Sequence, residues 1–304
     1  MLQQMELVNG RLARNGDTAG NVFVYVNPDE NERKHLAESL KLDEHTLASA
    51  LDPDELARLE FEPEHVAIIY KRPRNYSSQD RFVFKVASTG LFLFADKLVI
   101  IVSEDLQLFQ GKPFARVSSL QDLVLKMLYS SIFHFVEHLK VINAVSDSLE
   151  EQINTSMQNK YLLNLFSLEK SLVYYLNGIN TNGKLIERLK NSAAKLGFTP
   201  ENLEFVDDMI IENGQCYEQA EIYSNILASM MDARVSIVSN NLNWLMKTLT
   251  IITIGIMLPT FVVSLFSMNV PIPGEKHPLM FWIIMCFALT SVVLVRLVWW
   301  LKRW

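Results

Sequence analysis

Between Thr248 and Gly274 the chain has no charged side chain, and between His277 and Val295 it again has none. Each stretch holds about the 20 apolar residues that a helix needs to cross the hydrocarbon of a bilayer. Two buried core helices would meet the same count. Two such runs separated by a short Pro/Gly loop read instead as a membrane hairpin. In lipid a segment must satisfy its own backbone polar groups, so both spans are expected to be helical. The flanking charges orient them. Lys247 precedes the first span, Arg296, Lys302 and Arg303 close the second, and only Glu275, Lys276 and His277 lie between. That asymmetry predicts that both outer flanks, and with them both termini, are cytoplasmic. Trp299, Trp300 and Trp304 suit an interfacial belt, with Arg296 snorkelling to the headgroups. The opening residues, MLQQMELVNGRLARNGD, hold no apolar core of a secretory signal, so the segment before the spans is expected to stay in the cytoplasm.

The first span is not uniformly apolar. In steps of four and three from Asp232 the residues are Ser236, Ser239, Asn243, Met246, Thr250, Thr253, Met257, Thr260, Ser264 and Ser267. Nearly all are polar or small, and their flanks are Ile, Leu, Val and Phe. A polar seam in a membrane-spanning helix must face other protein or water. Small hydroxyl residues also let membrane helices approach closely, and their hydroxyls can bond back to the preceding turn. Packing, however, needs no polar groups along the whole length, and this seam extends beyond the span to Asn243 and Asp232. A hydrated path does need them. One helix cannot enclose a path, so several copies are expected in a ring, with this helix innermost.

Ahead of the spans the sequence changes character at about Ser118. Residues 1–117 read as an α+β domain. Val22–Val26 is an expected strand, with a helix after it capped by Asp29 or Asn31. A short helix is expected over Thr46–Leu59. Further strands are expected over His65–Tyr70, Arg81–Ala87, Leu91–Phe94 and Lys97–Ser103, the last two joined in a hairpin at Ala95-Asp96. The scattered glycines form no nucleotide loop. Residues 118–199 read as a helical hairpin: one helix opened by Ser119 and Asp122 and running to about Thr155, then Asn159–Asn177 and Asn182–Leu196, as two helices or one. Thr199-Pro200 is a restart signal. From there a helix of roughly 100 Å is expected to reach Ser267. Its parts are a cytoplasmic stalk over 200–244 and a first span over 245–268. An external loop over 269–278, a second span over 279–301 and a basic tail over 302–304 complete the chain. The net charge of −6 argues against nucleic acid as a partner, and Cys216 and Cys286 suggest neither a disulfide nor a zinc site.

Met246-Lys-Thr-Leu-Thr-Ile-Ile, Met257, Pro259, Thr260-Phe261 and Ser267-Met268-Asn269, taken in order, resemble the CorA superfamily of divalent-cation channels. The resemblance implies a homopentamer in a bacterial or archaeal cell membrane, with Mg²⁺ as substrate and regulatory ligand and no organic cofactor. It makes Ser267, Met268 and Asn269 a selectivity filter at the outer mouth. Asp232, Asn243, Thr250, Thr253, Thr260 and Ser264 become polar layers of the pore. Met246, Leu249 and Met257 become hydrophobic constrictions, and Lys302 and Arg303 a basic ring at the cytoplasmic end. It also makes Asp208, beside Asp207, a regulatory metal ligand at a subunit interface, with Asp80 or Asp96 of a neighbour as guessed partners. The chain departs from the family pattern where Ser267 replaces Gly and where Pro259 lies one residue later than in some members. Its Pro271-Ile-Pro-Gly274 loop is closer to the zinc-transporting ZntB branch, which keeps Zn²⁺, Co²⁺ and Ni²⁺ open as substrates. An enzyme is not expected. The one competing motif, His134-Phe-Val-Glu137-His138, has the spacing of a zinc peptidase helix but is short, and no second acidic ligand stands out.

Overall fold

The computed structural model describes residues 1–304 except 9, 15–19, 77–81, 106–107, 156–158, 270–273, 275–276 and 302–304. The chain forms two compact units, Met1–Met231 and Asp232–Trp304. In the first, seven strands make one mixed sheet. They are β1 (Leu2–Val8), β2 (Arg11–Arg14), β3 (Val22–Val26), β4 (Arg58–Phe61), β5 (Val66–Pro73), β6 (Val86–Leu93) and β7 (Leu98–Val102). Their order is β2-β1-β3-β7-β6-β5-β4. Among the described residues β3 and β7 are the one parallel pair, with Val24 opposite Ile100. The other neighbours are antiparallel.

Two cores form because successive side chains of a strand point to opposite faces. Leu98, Ile100 and Val102 enter the core shared with α3 (Leu120–Thr155) and α4 (Asn159–Asn191). Val99 and Ile101 enter the other, with Leu36 of α1 (Glu30–Ser39) and Leu47 of α2 (Glu44–Ser49). A strand buried on both faces has no polar side, hence the unbroken Leu98-Val-Ile-Ile-Val102 run.

Local signals explain the helix ends. Asp29 caps α1 in a reciprocal capping box with Glu32. At α3, Asp122 N–H donates to Ser119 Oγ (3.1 Å), while the Asp122 carboxylate accepts from Ser118 N–H (2.7 Å). The helical turn α5 (Ala193–Leu196) ends at Gly197, whose φ of 68° is left-handed, and Phe198 N–H then bonds Ala193 O. Thr199 Oγ1 accepts from Asn202 N–H (3.2 Å), and Pro200 opens α6 (Pro200–Leu265). At 66 residues α6 is about 100 Å long. It stays helical through Pro259. The last helix, α7, is Met280–Leu301.

Two expectations need correction. The helix placed over Thr46–Leu59 is capped by Asp43 and stops at Ser49. Asp52 precedes Pro53, which disfavours helical backbone there, and Arg58 already belongs to β4. The runs Arg81–Ala87 and Leu91–Phe94 are not two strands. Val86 to Leu93 is one strand with Gly90 at its centre, where a Cβ would lie 2.5 Å from the Ala50 Cβ. Of the two forms left open after Asn159, the structure has the single helix, Asn159 to Asn191, which runs through Gly178, Asn182 and Gly183. Gly178 lets α4 approach both α3 and the sheet, since a Cβ there would meet Phe135 at 3.3 Å and Lys71 and Val86 at 3.5 Å. Asn182 bonds the sheet edge: Lys71 N–H donates to its Oδ1 (2.8 Å), and its Nδ2 donates to Lys71 O (2.7 Å).

Candidate functional site

The second unit holds α6 from Asp232 onward and α7. Both helices are long and apolar enough to cross a membrane. On α6, Ile251, Gly255, Pro259, Val262 and Phe266 are partly covered. Their three- and four-residue spacing makes them one face. On α7, Ile284, Ala288, Ser291 and Val295 form the answering stripe, with Ala288 buried. Both helices line one apolar cleft, with Thr250, Ile251, Ile254 and Leu258 on one side and Leu294, Val295 and Val298 on the other.

The predicted seam centres on the opposite side of α6, with Thr250 at its margin also bordering the cleft. At 100° per residue, Asn243, Met246, Thr250, Thr253, Met257, Thr260 and Ser264 centre about 170° from the covered face. All are exposed in the single chain, as is Asp232. Met246, Leu249 and Met257 are 60%, 66% and 65% exposed, so three large apolar groups sit on or beside this side with nothing over them.

The hydroxyls have a defined polarity. Thr250 Oγ1 donates to Met246 O (2.8 Å), Thr253 Oγ1 to Leu249 O (2.8 Å) and Thr260 Oγ1 to Ile256 O (2.7 Å). Each proton is turned back onto the helix, which leaves the oxygen lone pairs for partners off it. The face therefore offers acceptors. Acceptors suit a cation or the hydrogens of its water shell, and they repel an anion.

Ser267, Met268 and Asn269 lie in the turn just past the end of α6, and all three are exposed. The last turn tightens there: Phe266 N–H bonds Val263 O and Ser267 N–H bonds Ser264 O, both at 3.2 Å. Ser267 Oγ also donates to Ser264 O (3.1 Å). The Asn269 amide has no hydrogen-bond partner among the described residues. Lys302, Arg303 and most of the Pro-rich loop lie outside the described residues, as does Asp80.

Asp207 and Asp208, in the first unit, are adjacent but differently engaged. Asp207 Oδ1 is 2.6 Å from Lys190 Nζ of α4. Asp208 is exposed and makes no ion pair among the described residues. Asp96 is exposed in the β6–β7 turn.

The His134-Phe-Val-Glu137-His138 motif is packed rather than arranged for a metal. His138 is buried, and its Nδ1 lies 2.7 Å from the Tyr175 hydroxyl. Burial, and then His134, push its pKa down to about 4. His134 is also lowered, by burial and then by the Arg72 charge, a field that opposes a cation. Glu137 faces solvent. No group of three His, Cys, Asp or Glu among the described residues is placed to hold a metal.

Sequence reasoning missed the α7 stripe, although Ala288 and Ser291 are small residues at helical spacing and could have marked it.

Residues 21–303 match the family model described as CorA-like Mg²⁺ transporter protein. The "Cobalt/magnesium transport protein CorA" of Methanocaldococcus jannaschii is 23% identical over 287 residues, which span 91% of this chain and 88% of that one. The solved complete CorA magnesium transporter from the same organism superposes with a TM-score of 0.78 at 20% identity, covering 98% of this chain and 96% of that one. The cytoplasmic domain of ZntB from Vibrio parahaemolyticus gives a TM-score of 0.61 at 13% identity over 78% of this chain and 98% of that domain.

Proposed function

Because the chain belongs to the CorA-like Mg²⁺ transporter family, we propose that it is a divalent-cation channel passing hydrated Mg²⁺ into the cytoplasm down its electrochemical gradient. The observation that carries this reading is the seam of α6: continuous, exposed, presenting acceptor oxygens, and opposite the face covered by α7. Five copies would bring five seams around one axis, with residues 245–268 and 279–301 as the spans and 269–278 as the outer loop. Residues 1–244 and the tail 302–304 would then lie in the cytoplasm.

The chemistry at each layer follows from the ion. Mg²⁺ gives up water reluctantly. A ring of Asn269 amide oxygens accepts hydrogen bonds from that water without stripping it, and being neutral it lets the ion leave. Ser267 and Met268 shape the same mouth. Ser264, Thr260, Thr253 and Thr250 continue the acceptor path, and Asn243 and Asp232 deliver the ion inward. Met257, Leu249 and Met246 close the path by dewetting when the ring narrows. Lys302 and Arg303 set a positive barrier at the cytoplasmic mouth. A membrane potential of 100 mV contributes about 4.6 kcal/mol to inward movement of a doubly charged ion, so no nucleotide is required. Asp208, without an ion pair among the described residues, binds regulatory Mg²⁺ against a neighbouring subunit. When internal Mg²⁺ falls, like charges repel and the ring loosens.

A second reading, Zn²⁺ or another transition metal, is favoured by Ser267 and by the Pro271–Gly274 loop. Flux into proteoliposomes with Mg²⁺, Co²⁺, Ni²⁺ and Zn²⁺ compared separates the two. Saturable Mg²⁺ uptake abolished by Asn269→Ala supports the channel reading. Uptake of every ion unchanged by Asn269→Ala defeats the filter, and flux of Zn²⁺ without Mg²⁺ defeats the substrate.

A further inference from the structure

Strand β5 carries two consecutive cations into the sheet. Lys71 and Arg72 are only 2% and 5% exposed. A buried charge is costly unless fully engaged. Lys71 is engaged: its Nζ donates to Pro53 O (2.7 Å) and Ser88 Oγ (2.9 Å), tying down the loop after α2. Arg72 points to the other face of the sheet. Its Nε donates to Thr89 Oγ1 (3.1 Å) and its Nη1 to Pro73 O (3.2 Å). Its ion pair with Glu104 is long, at 3.3 Å, and Glu104 is held more closely by Arg74 at 3.0 Å. One carboxylate thus serves two guanidiniums, and Arg72 keeps donor capacity in reserve among its five N–H groups.

Beside Arg72 is a polar cavity of about 420 Å³. That size is within the range of small-molecule sites. Tyr70 and Arg72 form one wall; Ser130, Ser131 and His134, on one face of α3, form another; Asp105 stands at the rim. Ser131 Oγ is committed to Lys71 O (2.7 Å). The rings of His134 and the hydroxyl of Ser130 have no hydrogen-bond partner among the described residues. Burial, and then the Arg72 charge, disfavour a proton on His134, so its neutral ring can offer one N–H to the cavity.

We propose that this cavity binds a small phosphate-bearing anion, held by the Arg72 guanidinium, the His134 imidazole and the Ser130 hydroxyl. The lining groups come from a strand and from a helix. That suits a tetrahedral group with oxygens on several sides better than a flat carboxylate. A bidentate guanidinium bond to phosphate is strong and directional. Arg74 retains Glu104 while Arg72 turns to the ligand, so binding strands no carboxylate. The site is independent of the ion path in α6 and stands whether or not the chain conducts.

The test is calorimetric titration of the detergent-solubilised full chain with inorganic phosphate, with acetate as the planar comparator. Saturable phosphate binding is expected, weakened about tenfold or more by Arg72→Gln, since a charge-assisted hydrogen bond is lost. His134→Gln and Ser130→Ala weaken it less, and Asp105→Asn, which removes a repelling charge at the rim, tightens it. Should Arg72→Gln fail to fold, the Asp105 and Ser130 variants decide the matter at the cavity's rim and helix wall. Absence of saturable phosphate binding, or binding indifferent to all four substitutions, overturns the proposal. Acetate binding as tightly as phosphate overturns its ligand class.

Discussion

Asn182→Ala removes one side-chain amide and should open one edge of the sheet. Strand β4 pairs with β5 only as far as Ile69, so at Lys71 the edge of β5 has no neighbouring strand. Asn182 stands in for one, accepting from Lys71 N–H at 2.8 Å and donating to Lys71 O at 2.7 Å, and it is 1% exposed. After the substitution Lys71 O keeps the Ser131 hydroxyl at 2.7 Å. Lys71 N–H keeps no partner among the described residues. A buried donor left unsatisfied costs about 1–3 kcal/mol and the second lost bond about 1 kcal/mol more, so the edge should weaken by about 2–4 kcal/mol. Hydrogen exchange read by mass spectrometry on peptides covering β5 is the assay. At 1.4 kcal/mol per factor of ten, β5 amides should exchange about 30-fold to 1000-fold faster, with α7 peptides unchanged. Asn182→Leu, which keeps the volume, should behave the same way. Unchanged β5 exchange in a folded Asn182→Ala protein would refute the reasoning, because the amide would then contribute no net stabilisation.

Other outcomes follow from the site. Asp208→Asn should shift inhibition by internal Mg²⁺ to higher concentration in the flux assay, whereas Asp207→Asn, whose carboxylate is taken by Lys190, should leave it in place. Met257→Ser should raise resting flux, since a hydrated layer replaces a dewetting one; equal or lower flux counts against a constriction there. The folded pKa of His138, about 4, lies below the ordinary value of 6.5, so the neutral ring stabilises fully above about pH 6.5 and that contribution fades as pH falls toward 4. Denaturant midpoints measured across this window should fall with pH, and less steeply in His138→Phe.

Where one physical signal dominates, the sequence was easily read. The two spans need only length and apolarity. The α6 seam needs only the helical period, and it lies where that period places it. The Ser119, Asp29 and Thr199 caps are local and were visible. The failures are tertiary. Gly178 and Asn182 look like helix breakers in isolation, but one makes room for Phe135 and the other completes the edge of β5. Gly90 separates the two runs expected as strands, yet it sits inside one strand, where Ala50 leaves no room for a Cβ. Strands β1 and β2 were not foreseen, since Leu2–Val8 is half polar and pairs at the margin of the sheet. The His134/His138 spacing matches a catalytic pattern through the helical period, while His138 packs against Phe84 and bonds Tyr175, 37 residues away in sequence.

The clamp on Lys71 also has a consequence for synthesis. Its partners lie 60 and 111 residues downstream, at Ser131 and Asn182. Until both have been made, β5 emerges with a bare hydrogen-bonding edge, a template for pairing with other chains. Order of translation limits that exposure. Asn182 precedes Leu245, where the first span begins, and at about 5–20 residues per second the ribosome takes several seconds to cover the interval. The sheet can therefore close before the first apolar span is made, and membrane insertion can begin on a chain whose N-terminal domain already hides its own edge.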